Sequence, residues 1–449
     1  MDKELIDNAL RYHSEGKAGK IEIQPSKPAD TSAKLSLAYS PGVAAPAMEI
    51  YKERWNAYRY TNKGNLVAVI SNGSAVLGLG NIGATAAKPV MEGKAMLFKL
   101  YADIDAFDIE ISDENTERFI ATTHALSPTF GGINLEDIKA PECFHIEERL
   151  RSLLDIPVLH DDQHGTAVTI AAALLNACAI TERSLNKARV VICGAGSAGI
   201  STARMLLTLG VERSNLIMID SKGVISGRRT DLDAYKRDFA TMRDVESLSD
   251  ALCDADIFIG VSKGNLLSDA MLLSMSHRPV IMALANPVPE IDYTQAKRVR
   301  PDAVVATGRS DTPNQINNVL AFPYLFRGAL DTLSTTINES MKIAAAHAIA
   351  RIARDNTPVE IEQRYGRKLV FGQDYLLPTP GDRRLITEVS AAVAQAAMES
   401  GVARRQIASF KEYATTLLQR IDNENFFAKE RFARKGTTRT ENGFRDKKL

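Results

Sequence analysis

Two pairs of adjacent carboxylates have the makings of a reactive centre: Glu136 with Asp137, and Asp161 with Asp162 inside His160-Asp-Asp-Gln-His164. Neighbouring negative charges repel, so a buried pair needs a positive partner. A divalent cation is one candidate and a solvated surface loop is the plain alternative. His160 and His164, four residues apart, could instead share a helix face as zinc ligands. Oxygen donors outnumber imidazoles in this set, which favours Mg2+ or Mn2+.

Tyr39 in Ser36-Leu-Ala-Tyr-Ser-Pro-Gly-Val-Ala44 and Lys94 in Lys88-Pro-Val-Met-Glu-Gly-Lys-Ala95 stand in unusual settings. A lysine pressed into an apolar, glycine-lined turn can lose its proton near neutral pH and act as a base, and a tyrosine can deliver a proton to carbon or oxygen. Most residues of either type are structural or solvated, and composition alone marks neither as catalytic.

The form G-x-G-x-x-G occurs at Gly78, Gly80, Gly83 and again at Gly194, Gly196, Gly199. A dinucleotide site needs a strand before it, a helix after it, and an acidic residue about 20 positions on. Asp103 and Asp220 meet that spacing. Pro89 and Gly93 are expected to interrupt a helix after the first motif, whereas Ile200–Leu209 contains no breaker. Gly194, Gly196, Ser197, Ala198 and Gly199 are therefore the candidate pyrophosphate turn. Asp220 would suit a ribose diol, while Lys222, Arg228 and Arg229 could surround a 2′-phosphate or form a solvated loop.

The elements that position these groups read as α/β. Arg189–Cys193, Leu216–Ile219, Asp256–Gly260, Val280–Ala285 and Ala303–Ala306 are short β-branched runs alternating with amphipathic ones, the pattern of a Rossmann-type doubly wound parallel sheet. Residues 1–160 are less regular, with one apolar centre at Leu66–Ile70 followed by Ala75–Leu79, and read as a separate N-terminal α/β domain. The expected division is 1–160 for substrate and metal, 161–384 for the dinucleotide, 385–424 for C-terminal helices, and a polar tail or linker at 425–449. Helices are expected over Ile337–Arg354 and Leu385–Glu399.

Bulk properties exclude other classes. With 449 residues there is room for two or three domains, and Lys plus Arg equals Asp plus Glu at 55 each, so no global field draws the chain to nucleic acid or anionic lipid. Met1–Lys20 lacks the apolar core of a secretory signal. The longest apolar stretch, Ala167–Ile180, is shorter than the ~20 residues that span a bilayer, is interrupted by Thr169 and Asn176, and reads as a buried helix. Cys143, Cys178, Cys193 and Cys253 show no C-x-x-C spacing. A cytoplasmic setting is the expectation.

Taken in order, these pieces resemble the malic enzymes in their short bacterial form over nearly the whole chain. The resemblance rests on Tyr-Ser-Pro-Gly-Val-Ala at 39–44, Val-Leu-Gly-Leu-Gly-Asn at 76–81, Pro-Val-Met-Glu-Gly-Lys-Ala at 89–95, Asn-Leu-Glu-Asp at 134–137, His-Asp-Asp-Gln-His-Gly-Thr at 160–166 and Asn-Gln-Ile-Asn-Asn-Val at 314–319. It implies malate as substrate, with Lys94 as general base, Tyr39 as general acid, and Glu136, Asp137 and Asp162 as ligands of Mg2+ or Mn2+. It further implies that Asp161 orients Lys94 and that Asn286 and Asn318 reach substrate or nicotinamide. Long animal-type members carry an Arg where Ser74-Ala75 stand here, so carboxylate recognition differs.

Asp220-Ser-Lys-Gly223 resembles NADP-using members, which favours NADP over NAD and gives the phosphate to Lys222. A homodimer is implied, with N-terminal residues in its interface. So is a branch in which a phosphotransacetylase-like domain follows the malic part. A malolactic-type lyase that retains its cofactor, or a dinucleotide-binding regulatory protein with a dead site, are the competing readings.

Overall fold

In the computed structural model, residues 3–76 and 78–422 are described, and the expected tail at 425–449 lies outside them. Two parallel sheets organise the chain. The first joins β1 (Leu66–Ser71), β2 (Asp105–Glu110), β3 (Gly132–Leu135) and β4 (Val158–His160) in the order β2-β1-β3-β4. The second joins β5 (Val190–Cys193), β6 (Leu216–Asp220), β7 (Gly223–Val224), β8 (Ile257–Gly260), β9 (Val280–Ala283) and β10 (Val304–Thr307) in the order β10-β9-β8-β5-β6-β7. All pairings are parallel except that of β6 with the two-residue β7.

Alternation along the second sheet shows why it is covered on both faces. Val190, Ile192, Leu216, Met218, Ile257 and Ile259 point into one apolar cluster, while Val191, Cys193, Ile217, Ile219 and Phe258 point into another. The first of these clusters is continuous with the core of the first sheet, including Leu66–Ile70, Ile133 and Val158. The five strands expected from sequence all form. β2, β3, β4 and the two-residue β7 were not foreseen.

The bridge between sheets is the helix Asp161–Thr181, which starts directly after β4 and is buried on every face from Ala167 to Leu174. It is long and apolar enough to cross a membrane, yet 72% of its most apolar window lies inside the protein. Helix Glu339–Arg354 packs along it, followed by a π turn at Leu385–Val389 and helix Ser390–Glu399.

One expectation is corrected. Pro89 and Gly93 do not interrupt the segment after the first glycine motif, for Ala84–Ala102 is one 19-residue helix with Pro89 inside it. Pro89 withholds an N–H from the carbonyl of Thr85, at the helix start. The helix is held instead by burial of Ala87, Met91, Ala95 and Phe98, which together outweigh a proline penalty of about 3 kcal/mol. What separates the two motifs is position. Gly194 follows β5 at once and its helix opens at Ser197, whereas residues 72–83 lie between β1 and the Ala84 helix.

Asn176 anchors the far end of the bridging helix. Fully buried, it donates to the carbonyls of Ala350 at 2.9 Å and Leu376 at 2.6 Å and accepts from Arg354 Nε at 2.6 Å. Asn176→Ala leaves these groups without their partner and is expected to destabilise the protein by about 1–3 kcal/mol, seen as a fall of several degrees in apparent Tm by scanning calorimetry. An unchanged Tm would show that apolar packing alone fixes the helix.

Candidate active site

β3 and β4 run parallel with Leu135 beside His160, so the residues that follow each strand emerge side by side. That register brings Glu136 and Asp137 against Asp161 and Asp162. Oxygens of Glu136, Asp137 and Asp162 lie within 4.8 Å of one another. Asp137 has a left-handed φ of 52°, a conformation Asp tolerates better than most residues. Its N–H donates to Asp162 Oδ2 at 2.8 Å, and its carbonyl accepts from Ala75 at 2.9 Å.

Lys94 enters from the helix Ala84–Ala102. Its buried Nζ lies 2.6 Å from Asp161 Oδ2, 2.8 Å from Glu136 Oε1 and 4.2 Å from the centre of the Phe322 ring. Burial alone would lower the Lys94 pKa, but the charges of Asp161 and Glu136 prevail and raise it. The expected apolar turn is corrected: Lys94 sits in a helix, with its Nζ between two carboxylates.

The carboxylates carry the opposite strain. Burial pushes Glu136, Asp161 and Asp162 upward, Lys94 opposes this, and each neighbouring carboxylate adds to it. Three buried acids and the partly exposed Asp162 face one ammonium, which leaves a deficit of positive charge, and the three convergent residues all offer hard oxygens. These residues fit a divalent cation such as Mg2+ or Mn2+. The two histidines do not form a zinc pair. His160 ends β4 with both ring nitrogens unpaired among the described residues, its Nε2 3.4 Å from Asp162, and burial keeps it neutral by lowering its pKa to about 4. His164 faces elsewhere, with Nε2 2.9 Å from Glu147 and Nδ1 3.0 Å from Lys342 Nζ.

Several residues that sequence reading did not single out hold this arrangement. Asn134, buried in β3, donates to Glu136 Oε2 at 2.8 Å; an amide in an otherwise apolar strand was the available signal. Glu147, also buried, accepts from the His160 N–H at 3.0 Å, Gln163 Nε2 at 3.2 Å and His164, tying down the first turn of the bridging helix. At Gly165 a Cβ would stand 1.8 Å from Asp161 Oδ1 and 3.1 Å from the Cβ of Asn318, which places Asn318 beside Asp161 and reserves the space for that carboxylate.

The second sheet presents its own edge. Gly194 has φ 121° and leaves no room for a Cβ beside the Val261 carbonyl, Gly196 is open on its outer side, and a Cβ at Gly199 would stand 1.8 Å from the Gly194 carbonyl. Tight turn, open approach and close helix–strand packing are the three roles of a pyrophosphate-binding turn, with Ser197 and Ala198 opening the helix behind it. At the end of β6, Asp220 accepts from Arg229 at 2.8 and 3.1 Å, from Lys236 at 3.0 Å and from the Lys222 N–H at 2.9 Å. These donors overcome burial and lower its pKa to about 2. Lys222 Nζ reaches Asp231 at 2.7 Å, and Lys236 was missed by sequence reading. Asn286 lies in the loop after β9, its carbonyl 3.8 Å from where a Cβ of Gly78 would stand, so the first glycine motif borders the cleft between the sheets. Asp103 caps the Ala84–Ala102 helix in a left-handed conformation and pairs with Lys99, away from any ribose role.

Tyr39 stands apart. It caps the helix Ser32–Ala38, is 72% exposed, and shares no hydrogen bond or ring contact with Lys94.

Comparison with known proteins agrees with this geometry. Residues 18–117 and 110–151 match the family described as malic enzyme, N-terminal domain, and residues 163–363 match malic enzyme, NAD binding domain. The chain is 52% identical over 436 residues to the NADP-dependent malic enzyme of Escherichia coli (strain K12), covering 96% of this chain and 57% of that protein. It thus spans a little over half the length of this relative. It is also 52% identical to the NADP-dependent malic enzyme of Halomonas elongata, covering 88% of this chain and 94% of the other. The crystal structure of malic enzyme from Pyrococcus horikoshii superposes with a TM-score of 0.88 at 39% identity, over 97% of this chain and 100% of that one.

The ligand assignment has a direct test. In calorimetric titration with Mn2+, Asp162→Ala is expected to weaken binding by about tenfold or more, while His164→Ala stays within about twofold of wild type. The reverse ranking would make the imidazoles the ligands.

Proposed function

As the chain belongs to the malic enzyme family, we propose that it converts (S)-malate to pyruvate and CO2 with reduction of NADP, using the carboxylate and lysine cluster at the ends of β3 and β4. The observation that carries this reading is Lys94 Nζ set between Asp161 and Glu136, beside the convergent oxygens of Glu136, Asp137 and Asp162. In the proposed division, 1–160 supplies Tyr39, Lys94, Glu136 and Asp137, while 161–384 supplies Asp161, Asp162 and Asn318 together with the cofactor edge, and the helical segment from Leu385 supports both.

When bound, a divalent cation would polarise the C2 oxygen and stabilise the enolate, and the nicotinamide would accept hydride. The protein's own groups do the rest. Glu136, once engaged in cation binding, ceases to be a full counter-charge for Lys94, and a nearby positive charge lowers the lysine further. Lys94 would then release its own proton to solvent and, as the neutral amine, take the C2 hydroxyl proton, with Asp161 holding its Nζ in line. Loss of CO2 from the resulting oxaloacetate leaves an enolate, and Tyr39 protonates its C3 to give pyruvate. Asn286 and Asn318 border the space where substrate and nicotinamide meet.

Tyr39 accounts for the assembly we propose. The helices Ser32–Ala38 and Ala44–Lys52 bury none of their residues, and Leu37 and Tyr51 are 75% and 84% exposed. A homodimer that covers this arm would carry Tyr39 into the partner's Lys94 cluster. For cofactor choice, Asp220 is already engaged by Arg229 and Lys236, so the local balance favours a 2′-phosphate over a ribose diol.

The primary test is an assay of malate with each cofactor, with and without Mn2+, following pyruvate and NADPH together. Lys94→Ala and Tyr39→Phe are each expected to lose decarboxylating turnover. Mixing the two refolded variants should restore about a quarter of wild-type activity, because half the dimers are hybrids with one intact site. No recovery would place both groups in one chain. For the cofactor, Lys222→Ala should weaken NADP by about ten- to a hundredfold and spare NAD, the effect of one charge-assisted hydrogen bond. Equal weakening of both would return Asp220 to the ribose.

A further inference from the structure

The loops that follow β8 and β9 are held together by a single carboxylate that the reaction above does not use. Glu290 is fully buried. Its Oε1 accepts the N–H of Ser262 at 3.1 Å and its Oε2 accepts the N–H of Ala285 at 3.0 Å. The backbone joins in: Leu266 and Leu267 donate to the Glu290 carbonyl at 2.9 and 3.0 Å, and Asn265 donates to that of Pro289 at 3.0 Å. Gly260, at the end of β8, clears the way, since a Cβ there would stand 2.3 Å from Glu290 Cδ. Among the described residues no Lys or Arg pairs with this carboxylate, so its charge is met by N–H dipoles from two different loops.

What those loops touch gives the carboxylate a function. Ser262 follows Val261, whose carbonyl lies 2.6 Å from the Cβ position of Gly194, the turn assigned to the pyrophosphate. Ala285 precedes Asn286, which borders Gly78 in the loop between β1 and the Ala84–Ala102 helix and whose Nδ2 lies 2.9 Å from the Cβ position of Gly308. In the strand order, β6 with Asp220 lies on one side of β5, and β8 and β9 lie on the other. A dinucleotide laid across the end of β5 with its adenosine at Asp220 puts its nicotinamide over the Glu290 loops.

We infer that Glu290 is a positioning residue for the nicotinamide half of the cofactor, fixing the Val261–Ser262 strip and Asn286 as one rigid wall between the pyrophosphate turn and the Lys94 side of the cleft. This rests on the dinucleotide reading above. A carboxylate is suited to the task because each of its oxygens accepts one loop. A glutamine of the same shape offers one acceptor and turns an NH2 toward the other N–H, which releases one wall segment.

The test separates the cofactor's halves. Binding of 2′,5′-ADP and of reduced nicotinamide mononucleotide is measured on wild type and on Glu290→Gln, together with the deuterium isotope effect on kcat/KM using 2-deuterated malate. The expected result is 2′,5′-ADP affinity within about twofold, mononucleotide affinity reduced about tenfold or more, and a larger isotope effect. Unchanged mononucleotide affinity, or equal loss for both halves, would overturn the role. Wild type carries a second measurement that needs no variant. Amide exchange over 261–267 and 284–290 should slow with NADP and not with 2′,5′-ADP, and protection by both ligands alike would also overturn it. Wild type that binds neither half would instead bring down the cofactor reading, and this inference with it.

Discussion

Three buried carboxylates, a fourth at the edge of solvent and one ammonium are crowded into one small space, and most of the surrounding structure follows from what that concentration of charge requires. An unpaired buried acid would protonate rather than stay charged, as the upward shifts of Glu136, Asp161 and Asp162 show. Each neighbour lowers that penalty in a different way. Lys94 supplies charge, Asn134 supplies a donor to Glu136, and the Asp137 N–H supplies one to Asp162. The first turn of the Asp161–Thr181 helix adds its N-terminal dipole beneath Asp161 and Asp162. What remains uncompensated is negative charge at Glu136, Asp137 and Asp162, which fits the proposed divalent cation.

The same helix explains how a polar centre is kept in register with a cofactor edge on another sheet. Its N-terminal turn belongs to the chemistry and its middle belongs to the core that runs from β1 and β3 through to β5 and β8. Glu147 fixes the start by accepting from His160, Gln163 and His164, while Asn176 fixes the end against the Glu339–Arg354 helix. An element pinned at both ends and packed along its length cannot tilt without disturbing both sheets. Such rigidity suits a reaction in which a small misplacement between base and hydride acceptor is expensive in rate.

How much of this the sequence disclosed depended on whether a residue advertised itself locally. The second sheet was legible because each strand is a short β-branched run, and the carboxylate pairs were legible because adjacent acids are unusual. β2 was not: Asp105-Ala-Phe-Asp-Ile-Glu110 is a half-buried edge strand with three acids, and its identity comes from pairing with β1. Pro89 misled because propensity speaks for an isolated helix, and burial of one face overrode it. The role proposed for Lys94 was legible only through resemblance. Its actual state, an ion-paired ammonium, depends on Asp161 and Glu136 arriving from 67 and 42 positions away along the chain. Glu147 and Glu290 gave no local sign: Glu290 meets backbone N–H groups that a sequence does not display, and Glu147 meets one such N–H together with the side chains of Gln163 and His164.

The end of β6 shows the same limit from the other side. By position Asp220 is a ribose ligand, and by position alone the chain would read as an NAD protein. Its carboxylate, however, already accepts from Arg229 and Lys236 and from the Lys222 N–H, and Arg229 and Lys222 also share Asp231. An acid with three such donors has little capacity left for a diol, and its negative charge no longer repels a phosphate. Arg228, Arg229, Lys222 and Lys236 face Asp220, Asp231 and Asp244, a balance of four bases to three acids. The surplus is a single charge, and of the four bases Lys222 and Arg228 are exposed and free to swing while Arg229 and Lys236 are held against Asp220. The proposed preference for NADP would thus arise at this edge from neutralising the acid that selects against it, rather than from deleting that acid.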